Sequence, residues 1–279
     1  MKVLITGNKG FIGKEIEKKL ITNGIQTVGY DLVDNLDILD IETLTAKVSG
    51  CDSIIHLAAI ETQFSHQVMQ TNVLGTWSVL CASINADIKK IVYLSSVDAL
   101  GIFQGEGLPK YLPIDDNYPC HPQTSYSISK KLSEDLCKYF SLSYNLSIIC
   151  LRPPGVWNES TYFDIFAERK KQPSYEWDPY WEYGAFIDIR DLSEVVFLSL
   201  LKDLKGFNCF LVASDDITTS GKTSLELKEQ IFPNIKWNGG DEYEVEPYKA
   251  LVLSENARKQ LDWVPKYTWK RFCSSQMQT

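Results

Sequence analysis

The 279-residue sequence has no long apolar run, no Cys-x-x-Cys pair and no excess of positive charge. No apolar stretch is long enough to span a bilayer, and the chain enters its first predicted strand without a basic, apolar leader. Its seven cysteines are odd in number and scattered, which is typical of reduced thiols rather than of a disulfide framework. These absences predict a cytoplasmic protein with no membrane partner.

Charge and metal-ligand spacing argue against two further classes. Lys and Arg number 28 against 36 Asp and Glu, and the formal net charge of −8 disfavours nucleic acid as a partner. A phosphorylated substrate stays open, because a local site can be positive in an acidic protein. There are three His, and no group of His, Cys and carboxylate has metal-ligand spacing, so we expect no metal.

What the sequence does contain is a nucleotide-binding turn near its start. The short β-branched run Lys2 to Ile5 predicts a buried parallel strand, and the segment Thr6 to Gly13 follows it. We expect Gly7 to permit the tight turn, Gly10 to leave room for a pyrophosphate, and Gly13 to let the next helix pack closely on the sheet. Free N–H groups at that helix start would face the phosphates.

An acid, Asp31, ends the second predicted strand, which runs from Ile25 to Tyr30. A carboxylate at this point can accept hydrogen bonds from both ribose hydroxyls of NAD and repel the 2′-phosphate of NADP. NAD is therefore the favoured cofactor, with a simple turn residue as the alternative interpretation of Asp31. Asp40 is the predicted N-cap of a short helix that reaches Val48.

The third predicted strand, Cys51 to Ala59, ends in small residues that would let its backbone approach a bound dinucleotide. His56 lies in this apolar strand, where a His is more often a satisfied core residue than a catalytic base. A helical pattern over residues 64–86, a strand from Ile91 to Leu94 and the pair Ser95-Ser96 follow.

After an irregular segment from Gly101 to Gln123, Thr124 opens a helix predicted to reach about Tyr144. Tyr126 and Lys130 are four residues apart, which places both side chains on one face of that helix. A nearby ammonium favours the phenolate, and each unit by which it lowers the tyrosine pKa takes about 1.4 kcal/mol. The same spacing occurs in surface pairs, so alone it does not identify a catalytic pair.

In this order, the motifs resemble the extended short-chain dehydrogenases/reductases, the NAD-dependent epimerase/dehydratase family, over about residues 1–215. The segments that carry the resemblance are Thr6 to Gly13, Asp31, Asp37-Ile38, His56 to Ala59, Asn72, Ser95-Ser96, Tyr126 to Lys130, Leu151-Arg152-Pro153 and Phe186 to Asp191. The resemblance implies an α/β fold, a Rossmann-like doubly wound parallel sheet with a smaller C-terminal substrate-binding lobe. Residues 1–154 plus about 186–215 would form the NAD-binding domain, and about 155–185 plus 216–279 the lobe.

The resemblance also implies roles for single residues. Tyr126 would be the catalytic base or acid, Ser96 would hydrogen-bond the reacting hydroxyl or carbonyl, and Lys130 would hold the nicotinamide ribose and tune the tyrosine. Asp37 and Ile38 would flank the adenine. The implied cofactor-binding residues are Gly7, Gly10, Phe11, Ile12, Gly13, Asp31, Asp37, Ile38, Leu57, Ala58, Ala59, Asn72, Tyr126 and Lys130.

Departures from the family pattern bear on the substrate. Leu100 stands where the family usually has a tyrosine, and Val97-Asp98 stands where sugar 4,6-dehydratases carry Asp-Glu, which argues against dehydration. Nucleotide-sugar epimerases usually place Asn at the position of Gly155 and Arg at that of Gly184, both against the substrate diphosphate. Each lost charge-assisted contact would cost about 1.5 to 3 kcal/mol.

The remaining patterns lie in the C-terminal half. An aromatic and acidic stretch from Tyr175 to Tyr183 could stack on a sugar ring, or equally form a lobe edge or dimer contact. The other predicted elements are a helix over residues 190–201, a strand from Phe207 to Val212, a short strand around Val245 and a helix from Ser254 to Leu261.

Together, these features predict an NAD-dependent oxidoreductase that acts on a secondary alcohol or lactol of a small carbohydrate-like substrate. Net dehydrogenation, resembling the short uronate dehydrogenases, is slightly favoured by the missing diphosphate contacts. The alternatives are a nucleotide-sugar epimerase with tightly bound NAD and a non-catalytic NAD-sensing protein. Because the family often dimerises through two long helices, a homodimer through residues 64–86 and 124–143 is a further expectation.

Overall fold

A six-stranded parallel sheet forms the centre of the computed structural model, which describes residues 1–62, 65–172 and 182–276. In chain order the strands are β1 (Lys2–Thr6), β2 (Gln26–Tyr30), β3 (Ser53–His56), β4 (Lys90–Leu94), β5 (Tyr111–Leu112), β6 (Ser147–Arg152), β7 (Val156–Trp157), β8 (Ile187–Asp188), β9 (Phe207–Leu211) and β10 (Lys236–Trp237). The spatial order in the main sheet is β2-β1-β3-β4-β6-β9, with every pair parallel. The winding reverses between β1 and β3, where the carboxyl ends of the strands form a ligand crevice.

Helices cover both faces of this sheet. They are α1 (Phe11–Thr22), α2 (Ile41–Val48), α3 (Ser65–Val68), α4 (Gly75–Asn85), α5 (Ser125–Tyr144), α6 (Glu159–Lys171), α7 (Ile189–Leu201), α8 (Ser224–Ile231), α9 (Glu242–Val245), α10 (Glu255–Leu261) and α11 (Trp269–Gln276). Val3 and Ile5 pack with α1, α7 and α10 on one face, whereas Leu4 packs with α2, α4 and α5 on the other. The predicted doubly wound parallel fold is confirmed. Among the described helices, none is both long and apolar enough to cross a bilayer.

Two further apolar clusters lie beyond the two faces of the main sheet. One is built around Phe103 and Tyr183, whose rings meet edge to face with centroids 5.1 Å apart. The other stacks Trp157 on Phe186, with centroids 4.6 Å apart. Two short strand pairs, β5 with β10 and β7 with β8, contribute residues to these clusters. The division of the chain into an NAD-binding domain and a substrate lobe stays a prediction.

Local capping signals correctly predicted the start of two helices. At the start of α2 the Asp40 carboxylate accepts the N–H of Thr43, with N and O 3.1 Å apart. At the start of α5, Thr124 accepts the N–H of Ser127 at 3.2 Å, and the Ser127 side chain completes a capping box. The predicted strands at Ile91 to Leu94 and Phe207 to Val212 and the predicted helices over 190–201 and Ser254 to Leu261 are confirmed as β4, β9, α7 and α10.

Two predicted elements in the first half have different limits. The helix predicted over 64–86 is broken by a π-helical turn at Met69–Leu74 between α3 and α4, and residue 64 lies outside the described residues. The third strand ends at His56 rather than Ala59. There the chain leaves the sheet, because the N–H groups of Leu57 and Ala58 both donate to Oγ1 of Thr6, at 3.1 and 3.2 Å.

The strand predicted around Val245 is wrong. This segment forms the single helical turn α9, in which Val245 is exposed and Tyr243 is buried and donates its hydroxyl to the Ala250 carbonyl at 2.7 Å. The N–H groups of Val245 and Glu246 donate within the turn, to the carbonyls of Asp241 and Glu242 at 3.3 and 2.8 Å, so they do not pair with a neighbouring strand. Of the aromatic stretch Tyr175 to Tyr183, residues 175–181 lie outside the described residues.

A buried ion pair joins α5 to the main sheet. Nε and Nη2 of Arg152 donate to the two carboxylate oxygens of Glu134 at 2.8 and 2.7 Å, and the Ser95 hydroxyl donates to the same carboxylate at 2.6 Å. Arg152 comes from the end of β6, Glu134 from α5 and Ser95 from the end of β4, and all three are buried. The pair therefore fixes the helix that carries Tyr126 and Lys130 over the carboxyl ends of two central strands.

We expect Glu134→Ala to lower the free energy of unfolding by about 3 to 5 kcal/mol, because it leaves the Arg152 charge buried without a counter-ion. Urea denaturation followed by far-UV circular dichroism measures this loss. The matched control is Asp203→Ala, which breaks the exposed pair with Lys205 and should leave the denaturation midpoint unchanged. Equal midpoints for both variants would contradict the anchoring role of Glu134.

Candidate active site

A cleft of about 670 Å³ opens at the carboxyl ends of β1, β2 and β3. The loop from Gly7 to Gly13 forms its floor. Gly7 has φ +72°, which favours glycine, and a Cβ on Gly13 would lie 2.2 Å from the carbonyl oxygen of Gly7. Since no side chain caps the first turn of α1 at Gly10, the N–H groups of that turn face the cleft for an anionic group to accept.

Most of the predicted cofactor residues line this one cleft. They are Gly7, Gly10, Phe11, Ile12, Gly13, Asp31, Asp37, Ile38, Leu57, Ala58 and Ala59. Residues that sequence analysis missed complete the walls, and they are Lys9, Leu32, Val33, Leu36, Leu39, Ile60, Gln67, Gln70 and Thr71. Leu32 and Val33 follow directly after Asp31 and are 70% and 76% exposed. An apolar pair directly after the acid predicted to bind the ribose could have identified them from the sequence.

The Asp31 carboxylate accepts hydrogen bonds within its own turn and also lines the cleft. Its two carboxylate oxygens accept the N–H of Lys9 at 2.9 Å and of Val33 at 3.0 Å. Each carboxylate oxygen has a further lone pair, so these bonds orient the group and leave acceptor capacity toward the cleft. The turn interpretation and the ribose interpretation of Asp31 are therefore compatible.

Asn72 lies behind the cleft wall rather than on it. Its side chain accepts the N–H of Ile60 at 2.8 Å and donates to the Ile60 carbonyl and to Ser129 Oγ, both at 2.9 Å. These bonds join the loop after β3, the π-helical turn and α5. In this arrangement Asn72 shapes the cleft by holding Ile60, which lines it.

Ser96, Tyr126 and Lys130 come together at the end of β4. Nζ of Lys130 donates to the carbonyl of Leu94 at 2.9 Å and lies 5.6 Å from the centroid of the Tyr126 ring. The Ser96 side chain lies close enough to the Tyr126 phenol to lower its pKa. Leu94 lines the cleft, so Lys130 adjoins it through the Leu94 carbonyl, whereas Ser96, Tyr126 and Lys130 are not themselves among the residues that line it.

The pKa of Tyr126 shifts in the direction opposite to the one predicted from the Tyr126–Lys130 spacing. The pKa of Tyr126 is raised, first by burial and then by the charges of Asp98 and Glu61. Burial lowers the pKa of Lys130 to about 8. The phenol therefore stays protonated at neutral pH, because burial and the two carboxylates outweigh the effect of the Lys130 ammonium.

Three carboxylates lie near Tyr126; sequence analysis missed Glu61 and named Glu182 only as part of the stretch Tyr175 to Tyr183. Asp98 accepts the Ser96 hydroxyl at 2.8 Å, and burial raises its pKa to about 6. Glu182 accepts the N–H of Gly155 at 2.6 Å, and burial raises its pKa to about 7. Glu61 accepts the side-chain amide of Gln104 at 3.3 Å. They come from three separate loops, so no local spacing in the sequence reveals the group.

Glu182 occupies the space beside Gly155. A Cβ on Gly155 would lie 2.6 Å from Oε2 of Glu182. The position where the resemblance places a diphosphate-contacting Asn is thus covered by a carboxylate, which repels a diphosphate instead of binding it.

His56 is a core residue, as expected. Its Nδ1 and Nε2 lie 2.8 Å from Thr6 Oγ1 and 2.9 Å from Thr76 Oγ1, and burial lowers its pKa to about 3. The imidazole is therefore neutral and fully bonded.

A second buried group, Glu134, Cys150 and Cys209, has ligand atoms within 4.8 Å of one another. Its members come from α5, β6 and β9, which is why sequence spacing did not reveal it. The carboxylate already holds Arg152, and a guanidinium at this point opposes a cation electrostatically.

Comparison with known proteins shows the family. The model of the NAD-dependent epimerase/dehydratase family matches residues 3–171. A putative UDP-glucose 4-epimerase of Methanocaldococcus jannaschii is 31% identical over an alignment of 221 residues, and the match covers 70% of this chain and 65% of that protein. A uronate dehydrogenase of Pseudomonas putida is 24% identical over 164 residues, 54% of this chain and 59% of that protein. The chain thus matches less than two thirds of the length of either relative.

The fold is shared with solved structures. A short-chain dehydrogenase/reductase superfamily protein of Agrobacterium tumefaciens, crystallised with NAD, superimposes with a TM-score of 0.72 at 18% identity. The match covers 99% of this chain and 95% of that one.

We expect the protein to bind NAD at least tenfold more tightly than NADP, because the Asp31 carboxylate repels a 2′-phosphate. Asp31→Ser should narrow this ratio to near unity, as measured by isothermal titration calorimetry. Asp203→Ser is the control, since it removes an exposed acid that does not line the cleft and should leave the ratio unchanged. Tighter binding of NADP by the unmodified protein would show that the role of Asp31 is wrong.

Proposed function

Because this chain belongs to the NAD-dependent epimerase/dehydratase family, we propose that it transfers a hydride at a secondary alcohol or lactol of a small sugar-like substrate. The observation that carries the proposal is the grouping of Ser96, Tyr126 and Lys130 beside the dinucleotide cleft. A protein that only senses NAD does not need these three groups together. Their presence argues against the non-catalytic alternative.

NAD is the cofactor of this family, and the residues present fit it. The uncapped N–H groups at the start of α1 would hold the pyrophosphate, Asp31 the adenosine ribose, and Lys130 the nicotinamide ribose. The bound cofactor supplies the hydride acceptor. Once its own phenol proton has been released to solvent, Tyr126 would accept the proton of the substrate hydroxyl, and the Lys130 ammonium would favour that phenolate. Ser96 would hold the oxygen that loses the proton.

Among the reactions of the family, we favour net dehydrogenation of an uncharged sugar. Glu182 stands beside Gly155, and Glu61 and Asp98 lie close enough to raise its pKa. Three neighbouring carboxyl groups can hydrogen-bond sugar hydroxyls, and in their ionised forms they repel anionic groups. This supports a substrate without a diphosphate tail or an acidic group.

A nucleotide-sugar epimerase is the second candidate. Its support is the 31% identity to the putative UDP-glucose 4-epimerase, although Gly155 and Gly184 lack the side chains expected against a diphosphate. An epimerase of this kind would have to bind the diphosphate through other residues.

We also propose that the outer faces of α4 and α5 form a homodimer contact. Leu74 and Trp77 on one helix segment and Tyr139 and Leu142 on α5 are 47% to 73% exposed. Large apolar side chains on two adjacent helices are typical of a subunit interface.

Tyr126→Phe should lower NADH formation by about 10² to 10⁴-fold, because it removes the group that carries the proton. Its affinity for NAD, measured by calorimetry, should stay within about threefold of that of the unmodified protein. Tyr144→Phe, at an exposed position of the same helix outside the proposed dimer contact, is the control and should keep full activity. Full turnover by Tyr126→Phe would remove the catalytic assignment.

A substrate panel separates the two candidate reactions. With added NAD, we expect the NADH absorbance band to grow with neutral free sugars and not with uronic acids or nucleotide sugars. Glu182→Gln should improve kcat/KM for an acidic sugar by about tenfold relative to a neutral one, since it removes one repelling charge. Asp203→Asn is the control for net charge.

If the purified protein instead retains NAD, forms no net NADH and converts a nucleotide sugar into its epimer, the second candidate is correct.

A further inference from the structure

The side chain of Asn8 is buried behind the nucleotide-binding turn. It is 2% exposed and is not among the residues that line the cleft. Its Nδ2 donates to Oε2 of Glu17 on α1, with N and O 3.1 Å apart. A Cβ on Gly29 of β2 would lie 2.4 Å from the same Nδ2. The Asn8 amide is therefore held between the first helix and the second strand.

Glu17 connects the turn to the sheet through one carboxylate. While its Oε2 accepts the Asn8 amide, its Oε1 accepts the hydroxyl of Thr27 on β2 at 3.2 Å. Hydrogen bonds to an ionised carboxylate are about twice as strong as bonds between neutral groups. Glu17 thus fixes the Asn8 amide relative to β2.

Only the donor side of the Asn8 amide is used. Its Oδ1 is buried and has no hydrogen-bond partner among the residues that the structure describes. A buried polar atom without a partner costs free energy that an apolar side chain of similar size would avoid. Packing alone therefore does not account for an amide at this position, whereas its bond to Glu17 does.

The residues on either side of Asn8 carry contacts that shape the cofactor cleft. The N–H of Gly10 donates to the Gly7 carbonyl at 3.1 Å and closes the turn. The N–H of Lys9 donates to the Asp31 carboxylate at 2.9 Å. Because Asn8 lies between Gly7 and Lys9, a shift of its backbone disturbs both bonds. A turn that already has the bound conformation loses less freedom when the pyrophosphate binds.

We propose that Asn8 and Glu17 are positioning residues, which hold the turn from Gly7 to Gly10 in the conformation that binds the pyrophosphate of NAD. Neither residue lines the cleft, so both act through the backbone of the turn. The inference goes beyond the proposed reaction, because it depends on NAD binding and not on which substrate is oxidised.

The affinity for NAD, measured by calorimetry on the full chain, tests the role of Glu17. Glu17→Ala should weaken binding about fivefold to tenfold, because the turn then visits conformations that do not bind. Glu17→Gln keeps an oxygen that can accept the Asn8 N–H and should stay within about twofold of the unmodified protein. Glu15→Ala is the matched control, since it removes an acid of the same helix that pairs with Lys18 instead.

A double-mutant cycle shows whether the two side chains act through their hydrogen bond. Asn8→Ala should weaken NAD binding by a factor similar to that of Glu17→Ala. The variant with both substitutions should lose no more affinity than either single variant. Unchanged affinity in Glu17→Ala, or losses that multiply in the double variant, would overturn the proposal.

Gly29→Ala tests the same amide from the side of the strand. The backbone of Gly29 is extended and accepts alanine, so the added methyl group acts on the Asn8 amide that it meets. This variant should weaken NAD binding in the unmodified background and have no effect in Asn8→Ala, where the space is free. An equal loss in both backgrounds would count against a role of Asn8.

Hydrogen exchange without cofactor, followed by NMR, separates a local effect from a global one. In Glu17→Ala the Gly10 amide should exchange at least about threefold faster, whereas amides of β4 and β6 keep their rates. Equal acceleration in all of them would mean that Glu17 stabilises the whole fold, and the proposal would be wrong. A panel in which no sugar yields NADH contradicts the proposed reaction alone, because these measurements use only the protein and NAD.

Discussion

The buried pair between Arg152 and Glu134 is the interaction on which the site depends. It fixes α5 against the end of β6, and Lys130 then reaches the Leu94 carbonyl one strand away. A pair of this kind contributes little net stability compared with apolar packing, since both charges lose their hydration. Its contribution is to hold α5 in position, because two parallel hydrogen bonds between a planar guanidinium and a carboxylate fix their relative orientation. Because Tyr126 and Lys130 both lie on α5, their positions depend on this pair.

Sequence patterns predicted the features that a few neighbouring residues determine. The turn from Gly7 to Gly13, the cap at Asp40 and the cap at Thr124 each depend on local backbone geometry, and the structure contains them as expected. Glu61 could not be found in this way, and Glu182 was singled out only as part of the stretch Tyr175 to Tyr183, without its contact to Gly155. They meet near Tyr126 only because separate loops end at the same edge of the sheet, which a local pattern does not record.

The same limit applies to energies. The spacing of Tyr126 and Lys130 suggested a lowered phenol pKa, which is correct for the pair considered alone. In the folded protein, burial and two carboxylates act on the same phenol and raise its pKa. A pKa is set by every charge and by the solvent around the group, so one predicted contact cannot give even its direction.

The π-helical turn at Met69–Leu74 lets one run of helix serve two surfaces. A π turn holds one residue more than an α turn in each hydrogen-bonded ring, and so rotates everything after it about the axis. Before and within the turn, Gln67, Gln70 and Thr71 face the dinucleotide cleft. After it, Val79 and Leu80 face the core beneath the sheet. The inserted residue rotates the following helix so that its apolar face meets the core. Without it, either the side chains that line the cleft or those that pack in the core would point elsewhere.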